Sequence, residues 1–152
     1  ILAESKLGHG NRAYKYWTEA APATYNDNAE HRVLEPYVYG QFVEGKDSPF
    51  AGRAHVHWLT GTASTVMVGT TEGILGLNPE TKGIVIDPSI PSEWKEYTMD
   101  KTFRGKKLHV TVKNPNGSEH GVKSVTVNGE KIEGKLILDS ILKPENDIVI
   151  EL

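Results

Sequence analysis

An α+β protein, helical in its first half and antiparallel β in its second, is predicted by three observations. Apolar residues recur near a period of 3.6 in segments up to Leu75, the period falls to two from about Gly83, and turn-forming pairs such as Asn128-Gly129 separate the later apolar runs. The change of period puts a boundary near residues 79–88, giving a helical unit over 1–82 and a small antiparallel β-sandwich over 83–152.

The elements follow in order. Ala13, Trp17, Ala20 and Ala21 mark an amphipathic helix that starts at Asn11, a residue able to cap it, and stops at Pro22. Pro36 suits the first turn of a second helix running through Tyr37, Tyr39 and Phe42, because its missing N–H would have been unpaired there. Gly45 to Arg53, rich in Gly, Pro and charge, reads as a loop. A third helix spans Thr62 to Leu75, with Gly76 just past its end. Ile84 to Ile86 form a strand stopped by Asp87-Pro88. Leu108, Val110 and Val112 alternate with polar residues, and Asn114-Pro115-Asn116-Gly117 supplies a turn. Val122, Val125 and Val127 lead into the Asn128-Gly129 hairpin, followed by Ile132, by Leu136 to Leu138 and by Ile148 to Leu152.

Composition excludes several function classes. At 152 residues the chain is long enough to bury a core, and its formal charge of −3, with Lys and Glu interspersed, offers no basic stripe for nucleic acid. No apolar run has the length of a membrane span and no leader pattern occurs, so the reading is a soluble, cytoplasmic protein without membrane contact. With no cysteine there are no disulfides and no thiolate metal sites. The chain opens on Ile1-Leu2-Ala3-Glu4, within an amphipathic pattern, and reads as a piece of something larger.

The segment Trp58-Leu59-Thr60-Gly61-Thr62-Ala63 places small residues where an apolar segment becomes a helix. The first N–H groups of a helix lack intrahelical partners and carry the positive end of its dipole, so this is either an ordinary N-cap or an anion site. His55-Val56-His57 would present two imidazoles on one strand face, but with no local third ligand they read as hydrogen-bonding residues beside a pocket, and no metal is expected. His9, His31, His109 and His120 are isolated. Gly-x-Ser-x-Gly and a glycine-rich loop with Lys are both absent from the sequence. Glu35 and Glu72 are the carboxylates a hydrolase would pair, with structural pairing or solvation as the default. Tyr37, Tyr39, Phe42 and Trp58 fill a core or line a sugar pocket, and the neighbouring Gln41 favours the pocket.

These residues together carry a likeness. Gly8-His9-Gly10-Asn11-Arg12-Ala13-Tyr14, Glu35-Pro36-Tyr37-Val38-Tyr39 with Gln41, Trp58 to Ala63, Ile74-Leu75-Gly76, Ile86 to Pro91, Phe103-Arg104-Gly105 and Val125 to Gly129 resemble the C-terminal end of the inverting cellobiose, cellodextrin and chitobiose phosphorylases, glycoside hydrolase family 94. The resemblance covers essentially the whole chain. It implies the last helices of an (α/α)6 barrel followed by a β-sandwich, and reversible, inverting phosphorolysis of β-linked gluco-oligosaccharides, cellobiose or cellodextrin, to α-glucose 1-phosphate. It further implies that Thr60, Gly61 and Gln41 hold phosphate, with Tyr37, Tyr39, Trp58 and His57 as candidate pocket lining. The general-acid Asp and a phosphate-contacting His are implied upstream of Ile1, so the fragment alone is expected to be inactive. No cofactor is implied, since phosphate is a substrate; the partners are the upstream polypeptide, the sugar and phosphate, and a second copy in a homodimer. A carbohydrate-binding module or a structural cap built on the β half is the competing reading, although the aromatics there, Trp94, Tyr97 and Phe103, all lie near its start.

Overall fold

The computed structural model describes residues 1–152, except for the side chain of Asn26. The chain begins with a short helix α1 (Leu2–Lys6), followed by α2 (Gly10–Ala20), a 3-10 segment (Pro22–Asn28) and a single helical turn α3 (Ala29–Arg32). The predicted first helix is therefore present almost to the residue. Its cap is not the predicted one: His9 takes the N-cap position, and Asn11 lies inside the helix with its side chain bonded to Ser92.

The predicted second helix does not form. Glu35 to Val38 make a turn closed by the Val38 N–H on the Glu35 carbonyl at 3.1 Å, and Gly40–Val43 is a strand, β1, antiparallel to β2 (Ala54–His57). Pro36 is as much at home in a turn as in the first turn of a helix, and the β-branched and aromatic residues that follow prefer extended backbone once a partner strand is available. Gly45 to Arg53 is the loop of this ribbon, as expected.

The third helix has the predicted extent but not a uniform hydrogen-bond pattern. α4 (Thr62–Val68) continues into a π-helical turn over Gly69–Ile74, where the Leu75 N–H reaches back to the Thr70 carbonyl at 2.8 Å. Gly76 ends it with φ of 71°, and a Cβ there would strike the Asp87 carbonyl carbon at 2.2 Å. Close approach to α1 also uses glycine: a Cβ on Gly73 would lie 2.9 Å from Ser5 Oγ.

Beyond Gly76 the chain is β. A three-stranded sheet has the order β3 (Leu77–Glu80), β4 (Gly83–Ile86), β9 (Leu136–Leu138). A five-stranded sheet has the order β5 (Glu96–Phe103), β6 (Lys106–Lys113), β10 (Glu145–Glu151), β7 (Ser124–Val127), β8 (Glu130–Ile132). The inward residues of both sheets, Ile84, Ile86 and Ile137 from one and Leu108, Val110, Val112, Val125, Ile148 and Ile150 from the other, join a single buried cluster with Ile74 and Ala13. This arrangement is compatible with the small sandwich predicted. It is not purely antiparallel: β10 pairs with β6 in parallel, from Glu145 opposite Lys107 to Glu151 opposite Lys113, and antiparallel with β7. The last strand enters the gap between β6 and β7, which run in opposite directions, so one of its two pairings has to be parallel.

The helical and β parts meet at a clamp. Gly10 packs on Ile90, the Asn11 amide N–H donates to Glu119 Oε2 at 2.9 Å, and the Ser92 N–H donates to Asn11 Oδ1 at 3.0 Å. Gly8-His9-Gly10-Asn11 therefore serves packing. Among the described residues no helix is long and apolar enough to cross a membrane.

Candidate functional site

The β1–β2 ribbon and the start of α4 organise the residues singled out in the sequence. Pairing of Gly40 with His57, Phe42 with His55 and Val43 with Ala54 places Gln41 on one strand and Trp58 just beyond the end of the other. The backbone is left-handed at two non-glycine residues here, Val56 (φ 54°) within β2 and Trp58 (φ 64°) just past its end. Such geometry costs energy in a β-branched or bulky residue and clusters at functional positions.

At the helix start Gly61 holds the N-cap position, and the side chain of Thr60, one residue before it, satisfies the first helical N–H. Its hydroxyl oxygen accepts the Thr62 N–H at 3.1 Å and lies 2.8 Å from the Thr62 hydroxyl. The Gly61 carbonyl accepts the hydroxyls of Ser64 and Thr65, both at 2.9 Å. Gly61 itself has φ of −76°, an ordinary right-handed value, and a Cβ there would meet nothing within 4 Å. Neither backbone strain nor neighbours within this chain require glycine at that position.

Gln41, Tyr39 and Thr62 share the wall of a cavity of about 740 Å³, together with Arg32, His31 and Phe42. Arg32 crosses this wall and donates to the carbonyls of Glu35 and Val38, and His31 bonds the carbonyl of Ala51. Burial raises the Tyr39 phenol above its usual range, with the Arg32 charge opposing. The structure thus brings Gln41 and Tyr39 together with Thr62, and through Thr62 with Thr60. Tyr37 and Trp58 stand outside the cavity lining and pack edge to face, their ring centres 6.3 Å apart, with Trp58 65% exposed.

Two carboxylates are engaged here, Glu35, whose default in the sequence is structural pairing or solvation, and Glu44, which the sequence does not single out. Trp58 Nε1 donates to Glu35 Oε1 at 3.3 Å, and Glu35 is held below the usual carboxylate range by its own backbone N–H, then by Trp58, with His57 adding attraction. Glu44 accepts from Ser48 and is bonded to His55 Nε2 at 2.6 Å, which lowers its pKa, Ser48 first. His55 stacks on Phe42 with ring centres 4.9 Å apart. The two histidines of β2 therefore do different things: His55 ties the ribbon to its loop, while His57 remains exposed. Glu72 sits in the π turn, where its carbonyl accepts the Asn78 side chain. The Glu35–Trp58 and Glu44–His55 pairs span 23 and 11 residues, and no local signal marks either.

Comparison with known proteins adds the family. The profile described as the glycosyl hydrolase 94 superfamily, catalytic domain, matches residues 1–76, and that of the glycosyl hydrolase family 65 C-terminal domain matches residues 77–133. The chain is 42% identical to the N,N'-diacetylchitobiose phosphorylase of Vibrio proteolyticus over 89% of its own length and 17% of that relative. It is 32% identical to the solabiose phosphorylase of Paenibacillus borealis, over 88% of this chain and 17% of the relative. A 3-O-beta-D-glucopyranosyl-beta-D-glucuronide phosphorylase of the same organism is also 32% identical, over 85% and 17% respectively. The chain thus spans about a sixth of the length of these relatives.

Proposed function

Because the chain belongs to the glycosyl hydrolase 94 superfamily, we propose that it is the C-terminal part of a glycoside phosphorylase and carries part of the phosphate site. The whole enzyme would cleave a β-linked gluco-oligosaccharide with phosphate and release an α-sugar 1-phosphate with inversion. One carboxylic acid protonates the leaving oxygen, while phosphate attacks the anomeric carbon from the opposite face. That acid, an Asp, belongs to polypeptide upstream of Ile1, as do the remaining helices of an (α/α)6 barrel. Phosphate is itself the nucleophile, so this mechanism calls on no cofactor.

This chain's task is to aim the nucleophile, and the observation that carries the reading is the Thr60-Gly61-Thr62 start of α4 beside the wall shared by Gln41 and Thr62. The Thr60 hydroxyl and the backbone N–H groups after it donate to phosphate oxygens, Gln41 donates from its amide, and Gly61 lets the anion approach the backbone. Tyr39 lines the same pocket, with Tyr37, Trp58 and His57 at its edge. We read cellobiose or a cellodextrin as the substrate, in a homodimer and in the cytoplasm. The names of the relatives widen the sugars to be tried to chitobiose, solabiose and a glucosyl glucuronide.

The test is Thr60→Ala in the full-length enzyme. Loss of one charge-assisted hydrogen bond, roughly 1.5–3 kcal/mol, raises the phosphate KM or lowers kcat by about ten- to a hundredfold. Thr60→Ser, which keeps both the hydroxyl and the cap on Thr62, retains activity. Unchanged phosphate kinetics in Thr60→Ala would remove the assignment. Synthesis assays with glucose 1-phosphate or N-acetylglucosamine 1-phosphate and a panel of acceptors identify the sugar.

A further inference from the structure

The residues proposed to meet phosphate sit on two segments, β1 and the turn before α4, that nothing joins covalently at the site. The ribbon carrying them is short, with strands of four residues each, and a two-stranded ribbon of that size is marginal alone. Beyond its last pair, Gly40 with His57, the strands part toward Glu35 on one side and Trp58 on the other. There the Trp58 indole N–H reaches across to Glu35 Oε1 at 3.3 Å, and Tyr37 packs its ring against the same indole.

Burial does not hold that indole, which is 65% exposed, and its backbone is in the left-handed region. Its orientation depends on these two contacts. On the opposite side the Glu35 turn is anchored by Arg32, whose guanidinium donates to the Glu35 and Val38 carbonyls. From Arg32 through Glu35 to Trp58 a continuous set of hydrogen bonds therefore links α3, the turn before Gln41 and the turn before Thr60.

We propose that Glu35 and Trp58 form a positioning tether that sets the separation of Gln41 from Thr60, and with it the phosphate site. The inference rests on the reading of Thr60 and Gln41 as phosphate ligands. Glu35 touches neither phosphate nor sugar in this scheme, and its carboxylate acts only through Trp58. Misplacing one wall of an anion site weakens every bond aimed from it, so the effect falls on phosphate and not on the sugar.

The experiment compares Glu35→Ala, Glu35→Gln, Trp58→Phe and the Glu35→Ala/Trp58→Phe double variant in the full-length phosphorylase, with Thr60→Ala alongside. Glu35→Ala and Trp58→Phe each raise the phosphate KM about tenfold with the sugar KM unchanged, and the double variant is no worse than either single one, because both remove the same bond. Glu35→Gln keeps an acceptor oxygen and restores most of the phosphate affinity. Trp58→Phe removes the N–H but leaves an aromatic ring beside Tyr37, so it carries the test if Glu35→Ala does not fold.

Multiplying effects in the double variant, or a rise in the sugar KM instead, would overturn the tether. A collapse of kcat with a displaced acid limb of the pH profile in Glu35→Gln would overturn it too, by making Glu35 a reacting group. If Thr60→Ala raises the phosphate KM and Glu35→Ala does not, the tether alone falls. If Thr60→Ala has no effect, the phosphate reading falls and takes the tether with it.

Discussion

A Cβ atom on Gly10 would stand 2.1 Å from the carbonyl oxygen of Ile90, closer than any side chain tolerates. The obstacle is backbone on both sides, so neither a rotamer change nor a flexible chain end can relieve it. Gly10 opens α2 and Ile90 lies in the buried cluster of the β part, with Asn11, Ser92 and Glu119 bonded around them. Gly10→Ala must push the helical part off the β part, and an overpacked contact of this kind costs about 2–3 kcal/mol. Denaturant melts of the Gly10→Ala protein measure it; a midpoint equal to wild type would mean the clamp yields freely.

Asn146 is 2% exposed and satisfies a whole corner of the β part. Its amide donates to the carbonyls of Lys107 and Lys143, while its oxygen accepts the Lys143 N–H and the Asn128 side chain. Asn146→Asp turns the two-proton donor into a second acceptor facing two carbonyl oxygens. The variant is destabilised by about 2–3 kcal/mol at neutral pH, and part of the loss returns as acid protonates the new carboxyl and restores a donor. Stability compared at pH 7 and pH 4 checks it, and a deficit that does not shrink in acid would refute the donor role.

What was legible in the sequence depended on how far apart the deciding residues lie. Asn128-Gly129 forms its hairpin with both φ values positive, 52° and 86°, because the turn is decided by two adjacent residues. Leu108, Val110 and Val112 show their buried face by alternation alone. Gly40–Val43 misled because its partner lies beyond the loop, at Ala54–His57, and Pro36 gave a local signal that suits either outcome. β5 carries no local signal, because its pattern is mostly exposed and only its pairing with β6 marks it. The candidate site divides in the same way: Thr60 and Gln41 were named from local chemistry and resemblance, whereas the bonds from Glu35 to Trp58 and from Glu44 to His55 appear only once the ribbon is formed.

The Glu44–His55 pair gives the ribbon a dependence on acid. Bonds from Ser48 and His55 hold Glu44 below its usual value of 4.5 in the folded chain, so near that pH the unfolded chain binds more protons than the folded one. Stability from Glu44 is thus fully present above about pH 4.5 and is lost as pH falls through the lower folded value. Glu44→Gln keeps the size and loses the titration, so melting temperature falls less steeply between pH 6 and about pH 3 than in wild type. Parallel acid limbs in the two proteins would show that Glu44 contributes nothing to the slope.

Gly61 separates folding from binding. A methyl group there meets nothing within 4 Å in this chain, and φ of −76° suits alanine, while the hydroxyl of Thr60 already supplies the cap on Thr62. Gly61→Ala therefore leaves stability within about 0.5 kcal/mol of wild type. In the proposed enzyme the same methyl occupies space through which phosphate approaches the backbone N–H groups, so the phosphate KM rises about tenfold or more while the melting temperature holds. A glycine kept for folding would give the reverse pattern, a lower melting temperature with normal phosphate kinetics. If neither quantity moves, Gly61 takes no part in the phosphate site, and Thr60 and Gln41 must hold the anion from their side chains alone.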